Sequence, residues 1–327
     1  MRAALYQAYG SPAVLRLGEI PPPIPKRGEL LVRVFAATIN RTDCALLAGQ
    51  PWINRMVTGL IKPRNPIPGT DFAGEVVATG SEKSAFRVGD RIFGLNDAGL
   101  HSHAEYLCIS EKAAVALLPV NTSFEDAVAC LEGAHYAINF LNKVYLKAGD
   151  RVLVNGASGG IGSALVQLLC LTNAHITAVC AEAQFPLLRS LGAQNLIDYQ
   201  TTDFTRTNET YHFIFDAVGK STFGQCKPNL LPGGVYISSE LGPWGQNLFY
   251  ALSTPLMALL PGAKKQVKFP IPTGIRQNVQ YIRSLIEAGQ YQPVIEKSYL
   301  FNDIQSAYEH AASGRKIGNV VVRINAS

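Results

Sequence analysis

The chain has 327 residues, 47% of them hydrophobic and 16% charged, with 29 glycines. This composition excludes a disordered chain, and the length exceeds what one hydrophobic core usually serves, so two domains are expected. The net charge of +5 is mild, and the densest basic spots are Lys264, Lys265 and Lys268 and the pair Arg315 and Lys316, which argues against nucleic-acid binding. The six cysteines (Cys44, Cys108, Cys130, Cys170, Cys180 and Cys226) are scattered and never form C-x-x-C. They read as buried small hydrophobes in a reducing compartment. The N-terminus "MRAALYQAYG" lacks the apolar core of a signal peptide, and no uncharged apolar run reaches the roughly 18 residues that span a bilayer. A cytoplasmic location is expected.

Residues 1–118 read as β-rich. "PPPIPKRGE" (21–29) is a surface connection, and "ELLVRVFAATI" alternates before turning continuously apolar. It runs into "INRTDC" (39–44), a strand end crowded with polar groups. "GEVVATG" and "AEYLCIS" are short strands, and "RVGDRIFGL" (87–95) reads as strand–turn–strand about Gly89 and Asp90. His101 and His103 would share one side if they lie on a strand, too few for a metal without a third ligand, and the pair reads as a surface strand or loop. From Ser123, "SFEDAVACLEGAHYAINFLNK" reads as one capped helix. Strands and helices then alternate at about 25 residues per pair, the pattern of a doubly wound parallel sheet. The chain is therefore expected to be α/β, with one domain over 1–118 and 263–327 and a second over 119–262, closed by the strand "GNVVVRI".

The strongest chemical signal is "RVLVNGASGGIGSALVQLL", a buried strand, a Gly-rich turn and an amphipathic helix. Ala157-x-Gly159-x-x-Gly162 is a variant of the dinucleotide fingerprint, in which small residues let backbone N–H groups approach a pyrophosphate at a helix N-terminus. Residues 157–162 (Ala157, Ser158, Gly159, Gly160, Ile161 and Gly162) are the expected cofactor contacts. Gly156, Gly160 and Gly162 also fit the loop of short-chain dehydrogenases. That family places its loop near the N-terminus and follows it with Tyr-x-x-x-Lys, which is absent here.

With this loop in mid-chain, the sequence resembles the medium-chain dehydrogenase/reductase superfamily. "NGASGGIG", "LRSLGAQNLIDY", "IFDAVGK", "PGTDFAGEV" and "FRVGDRIFG" are similar to its zinc-independent quinone oxidoreductase (zeta-crystallin-like) branch. The resemblance spans essentially the whole chain. It implies a GroES-like catalytic domain, a Rossmann domain, a nicotinamide dinucleotide and hydride transfer in the cleft between domains. Zinc members carry Cys where this chain has Asn40, and Gly-His-Glu where it has Gly69-Thr70-Asp71. Neither Asn nor Thr is a useful zinc ligand, so no metal is expected. An enone or quinone spreads developing charge onto a distant oxygen that hydrogen-bond donors can hold, whereas reduction of a simple ketone calls for a metal or poised acid. The expected substrate is thus a small apolar carbonyl or quinone. A metal-free alcohol or aldehyde dehydrogenase and a non-enzymatic nucleotide-binding interaction protein are the alternatives.

The resemblance places Asn40 beside the nicotinamide as an amide donor; Asn40 also reads as a turn residue bonding its own backbone. Thr42 is a second donor, and Asp43 is either a site residue or a partner for Arg41 or a backbone amide. The tyrosine that the branch often shows soon after Asn-x-x-Asp is missing, leaving Trp52, His135 and Tyr136 as substitutes. Cys180 ends the second strand of the nucleotide unit without the acid of an NAD site or the base of an NADP site. Tyr199 matches a branch tyrosine near the adenosine phosphate, and the branch favours NADPH, with NADH the alternative. Val218 and Gly219 would border the nicotinamide, Ser238 ends the next strand, and Asn319 resembles a cofactor-contacting return. The apolar stretch 247–269 reads as a buried interface segment in preference to a membrane contact or lid. A homodimer or monomer is expected.

Overall fold

The computed structural model describes residues 1–52, 54–238 and 265–325. Most of the stretch 247–269 lies outside the described residues.

The first part of the chain supplies strands β1 (Arg2–Leu5), β2 (Arg16–Glu19) and β3 (Glu29–Ile39), helices α1 (Arg41–Ala48) and α2 (Asn54–Thr58), then β4 (Asp71–Thr79), β5 (Arg91–Leu95), β6 (Tyr106–Ser110), β7 (Val115–Leu117) and helix α3 (Phe124–Ala129). Along β3, Leu30, Val32 and Val34 are buried alternately and Phe35 to Ile39 continuously. The strand starts as a half-buried ribbon and ends with both faces covered. It pairs antiparallel with β4 and β6. The sequence "RVGDRIFGL" holds only β5, because the Asp90 carboxylate accepts the Arg87 N–H at 2.7 Å and closes residues 87–90 into a turn.

The expected single helix after Ser123 is two helices, α3 and α4 (Leu131–Leu141). The Cys130 N–H turns back to the Ala127 and Val128 carbonyls and tightens the end of α3. Then follow β8 (Arg151–Asn155), α5 (Gly160–Cys170), β9 (His175–Cys180), α6 (Phe185–Ser190), β10 (Asn195–Asp198), β11 (Tyr211–Asp216), α7 (Phe223–Cys226), β12 (Leu230–Ser238) and β13 (Gln266–Lys268). The six strands form one parallel sheet in the order β10-β9-β8-β11-β12-β13. Chain order reverses direction between β8 and β11, and ligands of open α/β sheets bind at the carboxyl ends of such strands.

The chain closes with α8 (Ile275–Glu287), β14 (Ile295–Leu300), α9 (Ile304–Ala312) and β15 (Asn319–Arg323). β15 pairs antiparallel with β3, giving a seven-stranded sheet β14-β15-β3-β4-β5-β7 with β6 also on β3. The fold is a GroES-like unit and a six-stranded Rossmann unit.

The compact units are Met1–Glu132 with Gly274–Ser327, and Gly133–Thr273. These boundaries fall later than the composition change at Pro119 suggests. Ala127, Val128, Ala129 and Leu131 bury themselves with Ala36, Ala73, Phe93 and Val321 of the first unit, and β13 pairs with β12 of the second.

Candidate functional site

In the first unit, "INRTDC" is the start of a helix and not a turn. Asn40 is the N-cap of α1: its Oδ1 accepts the Asp43 N–H at 2.9 Å, and Asp43 Oδ2 accepts the Asn40 N–H at 3.1 Å. This reciprocal pair satisfies two otherwise orphaned donors. Asn40 Nδ2 donates to Thr70 Oγ1 at 2.8 Å and to Thr38 Oγ1 at 3.4 Å, and Asn40 is 1% exposed. The expected free amide donor is therefore committed to its neighbours. The two positions that hold zinc ligands in zinc relatives are hydrogen-bonded to each other, with no thiolate or imidazole between them. These residues do not fit a zinc ion.

A polar network continues inward. Asp71, fully buried, accepts the Thr38 N–H at 2.7 Å and the Thr38 hydroxyl. Burial pushes its carboxyl up to about 7 against the lowering effect of those bonds. Asp43 is pushed higher still than an ordinary carboxyl, first by burial and then by the charge of Asp71, with the Asn40 N–H and Thr70 opposing. His103 is buried and not on a surface strand. Its Nε2–H donates to the Thr38 carbonyl at 3.0 Å, leaving Nδ1 to accept from the Tyr308 hydroxyl at 3.1 Å. The tautomer follows because a carbonyl can only accept. His101 lies in a loop at φ 60° with Nδ1 on the Ile67 carbonyl, so the two histidines serve different partners.

Thr42, half-buried, donates to Glu132 Oε1 at 3.4 Å. Glu132 is buried, which raises its carboxyl, while Lys316 and Arg41 pull it down. Burial lowers the Lys316 ammonium, which donates to the Gly318 carbonyl at 2.7 Å. The Glu132–Lys316 pair escaped the sequence reading; the available signal was an acid among the apolar positions of "ACLEGAHYA". Asn319 Nδ2 donates to the Ala129 and Val294 carbonyls at 3.0 and 3.1 Å. Asn40→Ala is expected to cost about 1–2 kcal/mol through the lost cap, more if Thr70 is left unsatisfied, read as a lower Tm. An unchanged Tm would contradict the capping role.

In the second unit, the turn after β8 is held by the Gly156 and Ala157 N–H groups on the Val179 carbonyl at 3.1 and 3.0 Å. Gly156 sits at φ +74°, where a Cβ would meet Val218 Cβ at 2.7 Å. Gly159 is the N-cap of α5 and brings no side chain to it. The N–H groups of Gly160, Ile161 and Gly162 therefore head a helix with no side-chain cap, beside the partly exposed Ser158, which suits an anion. Across the switch point, the buried Asp216 carboxylate accepts the N–H groups of Val218 (3.2 Å), Gly219 (2.9 Å) and Ser221 (3.0 Å), the Ser221 hydroxyl and Asn155 Nδ2. Asp216 thus shapes the loop that the sequence reading assigned to Val218 and Gly219. Ser238 is buried opposite Asp216 in the β11–β12 register. Cys180 ends β9, and the exposed Tyr199 donates its N–H to the Cys180 carbonyl at 3.2 Å, which brings those two candidates together. Tyr136 is half-buried on α4, edge-on to His135 at 5.6 Å.

The alcohol dehydrogenase GroES-like domain family matches residues 26–120, and a family described as zinc-binding dehydrogenase matches 191–322. The chain is 30% identical to the chloroplastic quinone-oxidoreductase QR1 of Triphysaria versicolor over 98% of both chains. It is 28% identical to a 2-methylene-furan-3-one reductase of Solanum lycopersicum, over 98% of this chain and 79% of that one. Its fold matches a quinone oxidoreductase structure from Coxiella burnetii with a TM-score of 0.84 and 22% identity over 99% of each chain. Fold and site define a medium-chain NAD(P)H oxidoreductase. The chain belongs to the medium-chain dehydrogenase/reductase superfamily, among its quinone oxidoreductase-like members.

Proposed function

We propose that this protein reduces an activated C=C bond (an enone) or a quinone, using NADPH, with NADH as the alternative. The observation that carries the reading is the hydrogen-bonded pair Asn40–Thr70 at the positions where zinc relatives hold their metal. A site whose residues do not fit a zinc ion suits substrates whose developing charge is delocalised. The names of the Triphysaria and Solanum relatives, a quinone oxidoreductase and a reductase of a methylene-furanone, support the same choice. The N–H groups at 160–162 would hold the pyrophosphate, and the nicotinamide, when bound, supplies hydride. Asp216 sets the 217–221 loop, and Asn40 fixes Thr70 and the first turn of α1. Glu182 is exposed in the turn after β9, free to point into water, so it costs a 2′-phosphate little. The same reading keeps the substrate small and apolar and the location cytoplasmic.

Steady-state assays of a quinone and enone panel, each with NADPH and NADH, test this. Turnover of at least one class is expected, and no turnover with either cofactor would sink the proposal.

A further inference from the structure

In the first unit, Trp52, Met56, Leu60 and Ile61 are 59%, 58%, 57% and 91% exposed. Apolar side chains exposed singly need no explanation, but four of them between residues 52 and 61 point to a contact surface. The loop that carries them is tightly built. Gly59 lies at φ +127°, and the Lys62 carbonyl oxygen stands 2.1 Å from where a Cβ on Gly59 would be, so the turn over 60–62 requires glycine at its start. The Arg64 N–H donates to the Thr58 carbonyl at 2.7 Å and closes the base of this turn. The Tyr9 hydroxyl donates to the Gly59 carbonyl at 2.6 Å. Arg55 lies over the Tyr9 ring at 4.8 Å, and its Nε donates to the Gly49 carbonyl at 3.1 Å. Leu60 and Ile61 are thus held outward at the tip of a fixed loop. Lys62 and Arg64, both exposed, follow them, and from Cys44 to Thr70 the chain has no Asp or Glu.

We propose that residues 51–64 dock the protein on the surface of a bilayer rich in anionic phospholipid. Trp52, Met56, Leu60 and Ile61 enter the boundary between headgroups and acyl chains, and Lys62 and Arg64 meet the lipid phosphates. The chemistry of the loop fits that partner on both counts. Apolar side chains supply the buried area, and the cations beside them are drawn to the negative potential of anionic lipid, with no carboxylate in the segment to oppose it. Trp is a favoured side chain at a membrane–water boundary. A stable protein partner takes about 20–30 residues a side, more than the 14 residues of this segment supply. Among the described residues no helix is long and apolar enough to cross a membrane, and the contact proposed is peripheral, through one loop. The inference stands apart from the reductase reading, since it involves neither cofactor nor substrate.

Co-sedimentation of the full chain with lipid vesicles at physiological ionic strength tests the assignment. The wild type is expected to bind vesicles of equal parts phosphatidylglycerol and phosphatidylcholine, and to bind phosphatidylcholine alone at least about tenfold more weakly. Leu60→Ser with Ile61→Ser, and separately Lys62→Glu with Arg64→Glu, are each expected to weaken binding to the anionic vesicles at least about tenfold. Tm is expected to stay at the wild-type value in both, because all four side chains are exposed. Should a double variant lower Tm, Ile61→Ser alone, at the most exposed position, takes its place. No binding of the wild type, equal binding to the two kinds of vesicle, or wild-type binding in either double variant would overturn the inference. Sedimentation velocity without lipid tests the other occupant. A wild-type dimer that Leu60→Ser with Ile61→Ser dissociates would assign the surface to a second copy of this chain and overturn the lipid contact.

Discussion

Gly162→Ala is expected to weaken NADPH binding at least about tenfold and to lower Tm. A Cβ at residue 162 would stand 2.1 Å from the Gly156 carbonyl oxygen and 2.7 Å from Ala157 Cα. Both obstacles are backbone, in a turn already tied to Val179, so relief requires the turn to separate from the first turn of α5. Overpacking of this kind costs about 1–3 kcal/mol, and each 1.4 kcal/mol diverted from binding is about tenfold in Kd. The displaced atoms are the N–H groups proposed to meet the pyrophosphate, so binding suffers along with stability. Gly159→Ala is the control: its Cβ would meet only the Gly156 carbonyl, at 3.5 Å, and its φ of −76° suits any residue. Fluorescence titration of NADPH against both variants checks this. Wild-type affinity in Gly162→Ala would show that the turn does not bind the dinucleotide.

Asp71→Asn is expected to gain stability relative to the wild type as pH rises from 4 to 7.5. The ordinary carboxyl value of 3.8 describes Asp71 in the unfolded chain, and burial lifts it to about 7 in the fold. Below 3.8 both states hold the proton. Between 3.8 and 7 only the folded state does, so unfolding releases a proton and wild-type stability falls as pH rises through this window. Each tenfold difference in proton affinity is worth about 1.4 kcal/mol, so the full effect is on the order of a few kcal/mol. His103 works in the opposite sense. Burial lowers it from 6.5 to about 4, so its unfolded form takes up a proton in acid, and stability rises with pH between those values. The difference between variant and wild type separates Asp71 from His103 and from the other buried carboxyls, Asp43 and Glu132, which burial also raises. Tm measured on both proteins at half-unit pH steps checks the prediction. A difference that is flat across the window would mean Asp71 is already ionised in the folded protein at pH 4.

The parallel sheet and its Gly-rich turn were legible because they depend on local patterns. A buried strand, small residues and an amphipathic helix follow one another within 20 residues of "RVLVNGASGGIGSALVQLL". The same holds for β3, whose change from alternating to continuous burial follows its letters. The sites in the first unit were less legible. Asn40, Thr42 and Asp43 are adjacent in sequence, but their roles depend on Thr38, Thr70 and Glu132, up to 90 residues away.

The sequence by itself determined the two-unit α/β architecture and the strand, Gly-rich turn and helix over 151–170, because each is written in residue type and short-range order. Only the tertiary structure decided that Asn40 spends its amide on a helix cap and on Thr70, and that Asn319 Nδ2 holds backbone carbonyls. A side chain's free hydrogen-bonding capacity is what remains after its neighbours have taken their share. Those neighbours come from distant strands and loops that meet only in the folded protein.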